Sequence, residues 1–169
     1  MKALPDIIDF NLKILFIGFN PGLKSALLGH HYAGGSNNFW KLLYEAGLTP
    51  RRFTSEEDKL LLTLSLGSTN IVDRPTRGIN EIKGGEFKEG AVELRRTLEK
   101  YKPQIACYVG IGVYKGFTGR KEVSCGLQEI ETVAGVKDFV CSSPSGLNRM
   151  PYRNQLECFR SLKELACKI

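Results

Sequence analysis

The chain contains no CxxC pair, no GxxxxGKS/T phosphate loop, no internal repeat, no low-complexity tract and no apolar run of membrane-spanning length. Each absence removes a class of function. Without cysteines at ligand spacing, Cys107, Cys125, Cys141, Cys158 and Cys167 do not read as a zinc motif, and their odd number speaks against a disulfide framework. They are expected as free thiols in a reducing compartment. A four-cysteine iron–sulfur cluster would need them to meet by tertiary approach, for which spacing gives no support. No phosphate loop, metal-ligand cluster or Ser/His/Asp order supports a small-molecule nucleotide hydrolase. His30 and His31 lack partner spacing for a metal and are expected to be hydrogen-bonded rather than catalytic. The N-terminal MKALPDIIDF is too short and too acidic for a secretory signal. A soluble, cytoplasmic and nucleoid-associated protein is the expectation.

The 169 residues suit one compact domain spanning 1–169. Hydrophobic residues make up 42% and charged residues 25%, as in ordinary globular proteins. Lysine and arginine outnumber aspartate and glutamate 24 to 18, a formal charge of +6. That excess favours a polyanionic partner through counterion release, though it does not single one out.

Residues 12–18, LKILFIG, predict a strand buried on both faces. The long Gly/Pro-rich segment FNPGLKSALLGHHYAGGS follows it. A loop of that length at a strand's C-terminal end is more often functional than idle. Asn37 and Asn38 can cap a helix from Phe39 to Ala46, in which Phe39 and Trp40 are expected to fill the core. Ser55 with Asp58 resembles a capping box opening a helix that ends near Gly67. Phe87, Ala91, Leu94, Leu98 and Tyr101 form the stripe of an amphipathic helix. Strands are expected at 104–109, 129–133 and 138–142, a short helix at 113–117 and a last helix through Leu156–Ala166. The order predicts a three-layer α/β/α sandwich around a short, mostly parallel central sheet. In such sheets the active site lies beyond the strands' C-terminal ends, which would bring FNPG and SPSGLNR together.

Those two loops carry a resemblance. GFNPGLKSALLGHHYAGGSNNFWKLLYEAGLT (18–49) resembles the first signature of the mismatch-specific uracil- and thymine-DNA glycosylases, SPSGLNR (143–149) the second, and TNIVDRPT (69–76) a block between them. The resemblance implies a metal-free enzyme without cofactor. It would flip uracil, mispaired with guanine, or a related lesion such as ethenocytosine or thymine, out of double-stranded DNA. The partner would be DNA with a mispaired or damaged base, the enzyme a monomer, and no membrane would be involved.

By that resemblance Asn20 would hold the attacking water. A departing uracil is a tolerable anion, so an amide that only orients water can suffice, at a slow rate. Alone, Asn-Pro-Gly reads as a chain-reversing turn. Phe19 and Gly22 would wall the base pocket; Gly22 either leaves room for a methyl or is needed for positive φ. Tyr32 would stack on the base, or else is a core aromatic. Ser25 touches water or base, or caps a helix. Asn70 either bonds the base or sits in a turn. Asp73 and Arg74 would form an ion pair, and Arg77 is a phosphate contact or a solvated side chain. Ser145, Gly146 and Leu147 would enter the helix as a wedge, with Asn148 and Arg149 on the opposite strand or a phosphate. The superfamily often has His or Asn at position 143, where this chain has Ser143. That departure favours an alternative, a mismatch- or damage-binding protein without turnover.

Overall fold

The computed structural model describes residues 3–169; Met1 and Lys2 of the N-terminal segment lie outside the described residues. Its centre is a five-stranded sheet in the order β2-β1-β3-β5-β4: β1 (Ile14–Gly18), β2 (Leu66–Asn70), β3 (Ile105–Val109), β4 (Gly126–Leu127) and β5 (Lys137–Cys141). All neighbours are parallel except β4, which pairs antiparallel with β5 at one edge. Helices α1 (Leu23–Leu28), α2 (Phe39–Glu45), α3 (Gly84–Tyr101), α4 (Ile111–Thr118) and α5 (Tyr152–Lys168) surround it.

Strand alternation sorts the core into two layers. Ile14 and Phe16 of β1, Cys107 of β3 and Phe139 of β5 face one side, where α2 and α5 bring Phe39, Leu43, Phe159 and Leu162. Leu15 and Ile17, Tyr108 and Val140 face the other, against Leu94 and Leu98 of α3 and Val113 and Phe117 of α4. The expected three-layer architecture is the observed one.

The elements differ from expectation at several points. The 55–67 helix is a 3-10 turn over Ser55–Leu64, its box formed by Thr54 and Glu57 rather than Ser55 and Asp58. Strand β2 then begins at Leu66, in a segment whose Gly-Ser-Thr-Asn run hides it. No strand forms at 129–133: the Asp138 carboxylate takes both the amide and the hydroxyl of Thr132, and Gly135 donates to Glu131, so side chains bend this backbone away from the sheet. The edge strand forms earlier, at Gly126–Leu127. The long loop after β1 contains the short helix α1.

Candidate active site

From β1 the chain runs to β2 on one side and the sheet continues through β3 on the other. The carboxyl ends of β1 and β3 therefore lie at a topological switch point, where a crevice opens. A cleft of about 680 Å³ occupies it. That is within the range of sites for nucleotide-sized ligands. It is walled by the segments after β1, β2, β3 and β5, so Asn20, Tyr32, Asn70, Ser143 and Leu147 line one cavity. Phe19, Gly22, Ser25, Ser145, Gly146 and Asn148 line it too. Arg149 is exposed and not part of the lining.

Asn20 sits just beyond β1, half-buried. Its Nδ2 donates to the Arg74 carbonyl and to Thr76 Oγ1, both at 2.8 Å. A carbonyl only accepts, so the group facing Arg74 must be the amide nitrogen. Thr76 Oγ1 spends its own hydrogen on the Gly78 carbonyl at 2.8 Å, which leaves it an acceptor for Asn20. The amide is thus held by its nitrogen, and Oδ1, with no protein partner among the described residues, is left to accept. Around it Thr76 N donates to the Pro21 carbonyl and Val72 N to the Phe19 carbonyl, fastening the Asn-Pro-Gly turn to the segment after β2.

Tyr32 takes a left-handed backbone, φ 53°, rare for a non-glycine residue and typical of strained positions at functional sites. Its ring stacks on Phe39 at 3.7 Å between centroids and 17° between planes, and lines the cleft. The phenol is buried beside Ser68, without a well-aligned partner, and burial keeps its hydroxyl protonated by raising its pKa. Ser25 Oγ accepts from Ala33 N at 3.0 Å and so ties α1 to the backbone beside Tyr32. Asn70 ends β2 opposite Gly18 in the register; a Cβ at Gly18 would meet Asn70 Oδ1 at 2.8 Å, so the close approach needs glycine. Gly22 has φ −68° with open space where a side chain would go. The positive-φ explanation of that glycine is excluded.

His31 is buried, and its roles follow from its partners. Nε2 faces the Pro5 carbonyl at 2.8 Å and must carry the proton, so Nδ1 accepts from Ser68 Oγ at 2.9 Å. Burial lowers its pKa, keeping the ring neutral. It braces the floor of the Tyr32 segment.

The loop after β5 is folded on itself. Ser143 Oγ accepts from Ser145 N, Ser145 Oγ from Leu147 N, and Asn148 Nδ2 donates to the Ser143 carbonyl at 2.8 Å. Asn148 Oδ1 accepts from Met150 N, so its amide is spent within the loop. Asn38 N donates to the Pro144 carbonyl at 2.8 Å, and a Cβ at Gly146 would fall 2.5 Å from Ser36 Cβ. Two loops distant in sequence therefore touch. At the tip Leu147 is 85% exposed.

Three features escaped the sequence reading. Thr76 locks the Asn20 amide. The Gly110-Ile111-Gly112 turn opens α4 into the cleft without an acidic residue in its first turn, an arrangement suited to an anion. Its signal was a Gly-x-Gly between strand and helix. Ile79, 56% exposed, stands on the cleft lining contributed by the segment after β2. The expected Asp73–Arg74 pair is replaced by an Arg74–Glu86 ion pair that also holds the Glu81 carbonyl. Lys24, Arg77 and Arg149 are exposed and form no ion pair among the described residues.

An open-sheet α/β domain with a cleft at its switch point is the class these features define. The Uracil DNA glycosylase superfamily profile matches residues 5–165, and the chain belongs to that superfamily, whose members are DNA glycosylases and hence hydrolases. The fold is also that of a candidate uracil DNA glycosylase from Methanosarcina acetivorans, solved by solution NMR. The TM-score is 0.64 and identity 23%, over 96% of this chain and 98% of that one. No helix among the described residues is long and apolar enough to cross a membrane.

Proposed function

We propose that this chain, acting as one unit over 1–169, is a monofunctional glycosylase that removes uracil from G-mismatched duplex DNA in base excision repair. Ethenocytosine and thymine would be secondary substrates. The observation that carries the reading is the Asn20 amide, pinned by its nitrogen and lining the same cleft as the exposed Leu147.

In this reading duplex DNA docks across the rim, with phosphates near Lys24, Arg77, Arg149 and the first turn of α4. Leu147 enters the stack and occupies the space the target nucleotide leaves. The extruded base slides onto the uncovered face of Tyr32, where stacking contributes roughly 1–3 kcal/mol. Asn70, the main chain at Phe19 and the Ser143 hydroxyl bond its polar edge. The glycosidic bond breaks with cationic character on the sugar and negative charge on the base. Asn20 Oδ1 accepts from a water and aims its lone pair at the sugar carbon. The open wall at Gly22 leaves room for a C5 methyl. Free main-chain groups of the wedge loop would pair with the orphaned guanine.

The test is a duplex holding one G·U pair, incubated with protein and EDTA and then treated with alkali. Strand cleavage at the uracil only after alkali is expected. Tight binding without cleavage would replace this reading with that of a damage-binding protein, the outcome Ser143 favours. A nick before alkali, or borohydride trapping through Lys24 on the rim, would overturn the monofunctional assignment.

A further inference from the structure

Among the exposed large hydrophobic side chains of the described residues, only Leu147 and Ile79 line the cleft. Leu27, Val92, Leu127 and Ile130 are also exposed and lie outside it. A scattered surface apolar residue carries no message, whereas one at the mouth of a cavity points to something that covers it. The two stand on opposite walls. In the sheet order β2-β1-β3-β5 the loop of Ile79 follows β2 and that of Leu147 follows β5. The ends of those strands lie three strand spacings apart, about 14 Å.

The Ile79 loop is braced from within. The Gly78 carbonyl accepts from Thr76 Oγ1 at 2.8 Å and from Glu81 N at 3.1 Å, and the Ile79 carbonyl accepts from Ile82 N at 3.1 Å. Arg74, paired with Glu86, holds the Glu81 carbonyl at 2.8 Å. Thr76 Oγ1 is also the acceptor for the Asn20 amide. Ile79 thus follows directly on the hydrogen-bond chain Asn20–Thr76–Gly78, and a strand whose sugar lies at Asn20 passes beside it. Its β-branched side chain is stiff and loses little freedom when covered.

A nucleotide within a strand offers three surfaces: stacked base faces, a charged phosphate and the carbon–hydrogen edge of the deoxyribose. The loop matches two of them. Arg77 is exposed, forms no ion pair among the described residues and suits the phosphate. Ile79, two positions later, suits the sugar.

We propose that Ile79 is a second apolar contact to DNA, packed on a deoxyribose of the strand that gives up its base. The inference rests on the glycosylase reading, which supplies that strand. With a rise of 3.4 Å per nucleotide along one strand, the span between the two walls places this sugar within about four nucleotides of the extruded one. Leu147 enters the stack, Ile79 grips the backbone outside it, and the strand is held on both sides of the mouth while the nucleotide is drawn between them.

The test uses the full chain and a duplex with a tetrahydrofuran abasic analogue opposite guanine, so that no bond is cut. Ile79→Ser should bind about fivefold more weakly than the wild type, with Tm unaltered. The slope of affinity against salt should not change, because an apolar contact releases no counterion, whereas Arg77→Ala should flatten it by about one. Ile79→Leu should restore binding. Wild-type affinity in Ile79→Ser, or a loss with a flattened slope, would overturn the proposal. A photoreactive benzophenone side chain in place of Ile79 should cross-link to the analogue-bearing strand within about four nucleotides of the analogue; the same group in place of Val92 should not. Adducts confined to the complementary strand, or equal yields from the two positions, would overturn it as well. Neither readout depends on turnover. Uracil excision by a wild type whose Ile79→Ser variant binds equally well sinks this contact alone, and absence of excision with the cross-link in place sinks the glycosylase reading alone.

Discussion

The two sides of the cleft are built on opposite principles. At Asn20 every donor of the amide is assigned: its nitrogen is held by Arg74 and Thr76, and the turn around it is fastened to the segment after β2. At Leu147 the loop braces its own backbone and leaves the side chain almost free of protein contact. One side is defined by the contacts it makes, the other by those it lacks. The difference teaches that burial marks the site poorly here: its most exposed apolar residue and one of its most tightly bonded amides serve the same cavity. Preorganised groups act in chemistry because they need not move when charge develops. An exposed apolar tip is useful only to something that will cover it.

The largest effect that would sharpen this contrast is expected at Asn20. Asn20→Ala should reduce single-turnover excision at least about 10²-fold while DNA affinity changes little. Comparable rates would remove the amide from the reaction. Next comes its anchor. Thr76→Val keeps the shape but removes the acceptor, so excision should fall about 10-fold in kcat with KM nearly unchanged, and Thr76→Ser should restore it. A loss confined to thermal stability would make Thr76 merely structural. Leu147→Ala should slow excision several-fold on well-paired duplexes, less on unstable ones, with Tm unaltered, since the side chain contacts little in the folded protein. An undiminished rate on the stable duplex would break the comparison. Arg149→Ala should flatten the salt dependence of DNA binding by about one in slope.

The smallest effect concerns pH. Burial lowers the His31 pKa below the ordinary imidazole value of 6.5, so the unfolded chain binds its proton more readily than the folded one. Its contribution to stability is present above about pH 6.5 and is lost as pH falls from there through the lowered value. Urea unfolding midpoints should show that acid-side decline in the wild type and a shallower one in His31→Asn; equal slopes would contradict the neutral, buried assignment.

Much of this was legible in the sequence where side-chain chemistry is local. The apolar ILFIG of β1 and the 87–101 stripe of α3 announce their own burial, and both are found. β2 does not, because beyond Leu66 its buried residues are polar or small. Ser68 is satisfied by His31 and Thr69 by Asp6, partners more than 30 residues away that no local pattern reveals. The same limit applies to the site. Asn20 and Leu147 stand out within recognisable loops, whereas Thr76 acquires its role only through a hydrogen bond to a residue 56 positions earlier. The expected 129–133 strand failed for a related reason: Thr132 could be read as a strand former, but not as the ligand of the buried Asp138 carboxylate.

The claim on which the functional reading stands is that a base leaves the helix and enters this cleft while Leu147 takes its place. Fluorescence of 2-aminopurine beside a G·U pair tests it directly, in the Asn20→Ala protein so that no bond is cut. Binding should raise the emission severalfold as the neighbouring uracil unstacks, and adding Leu147→Ala should suppress the rise. Saturated binding with emission unchanged from free duplex would contradict it.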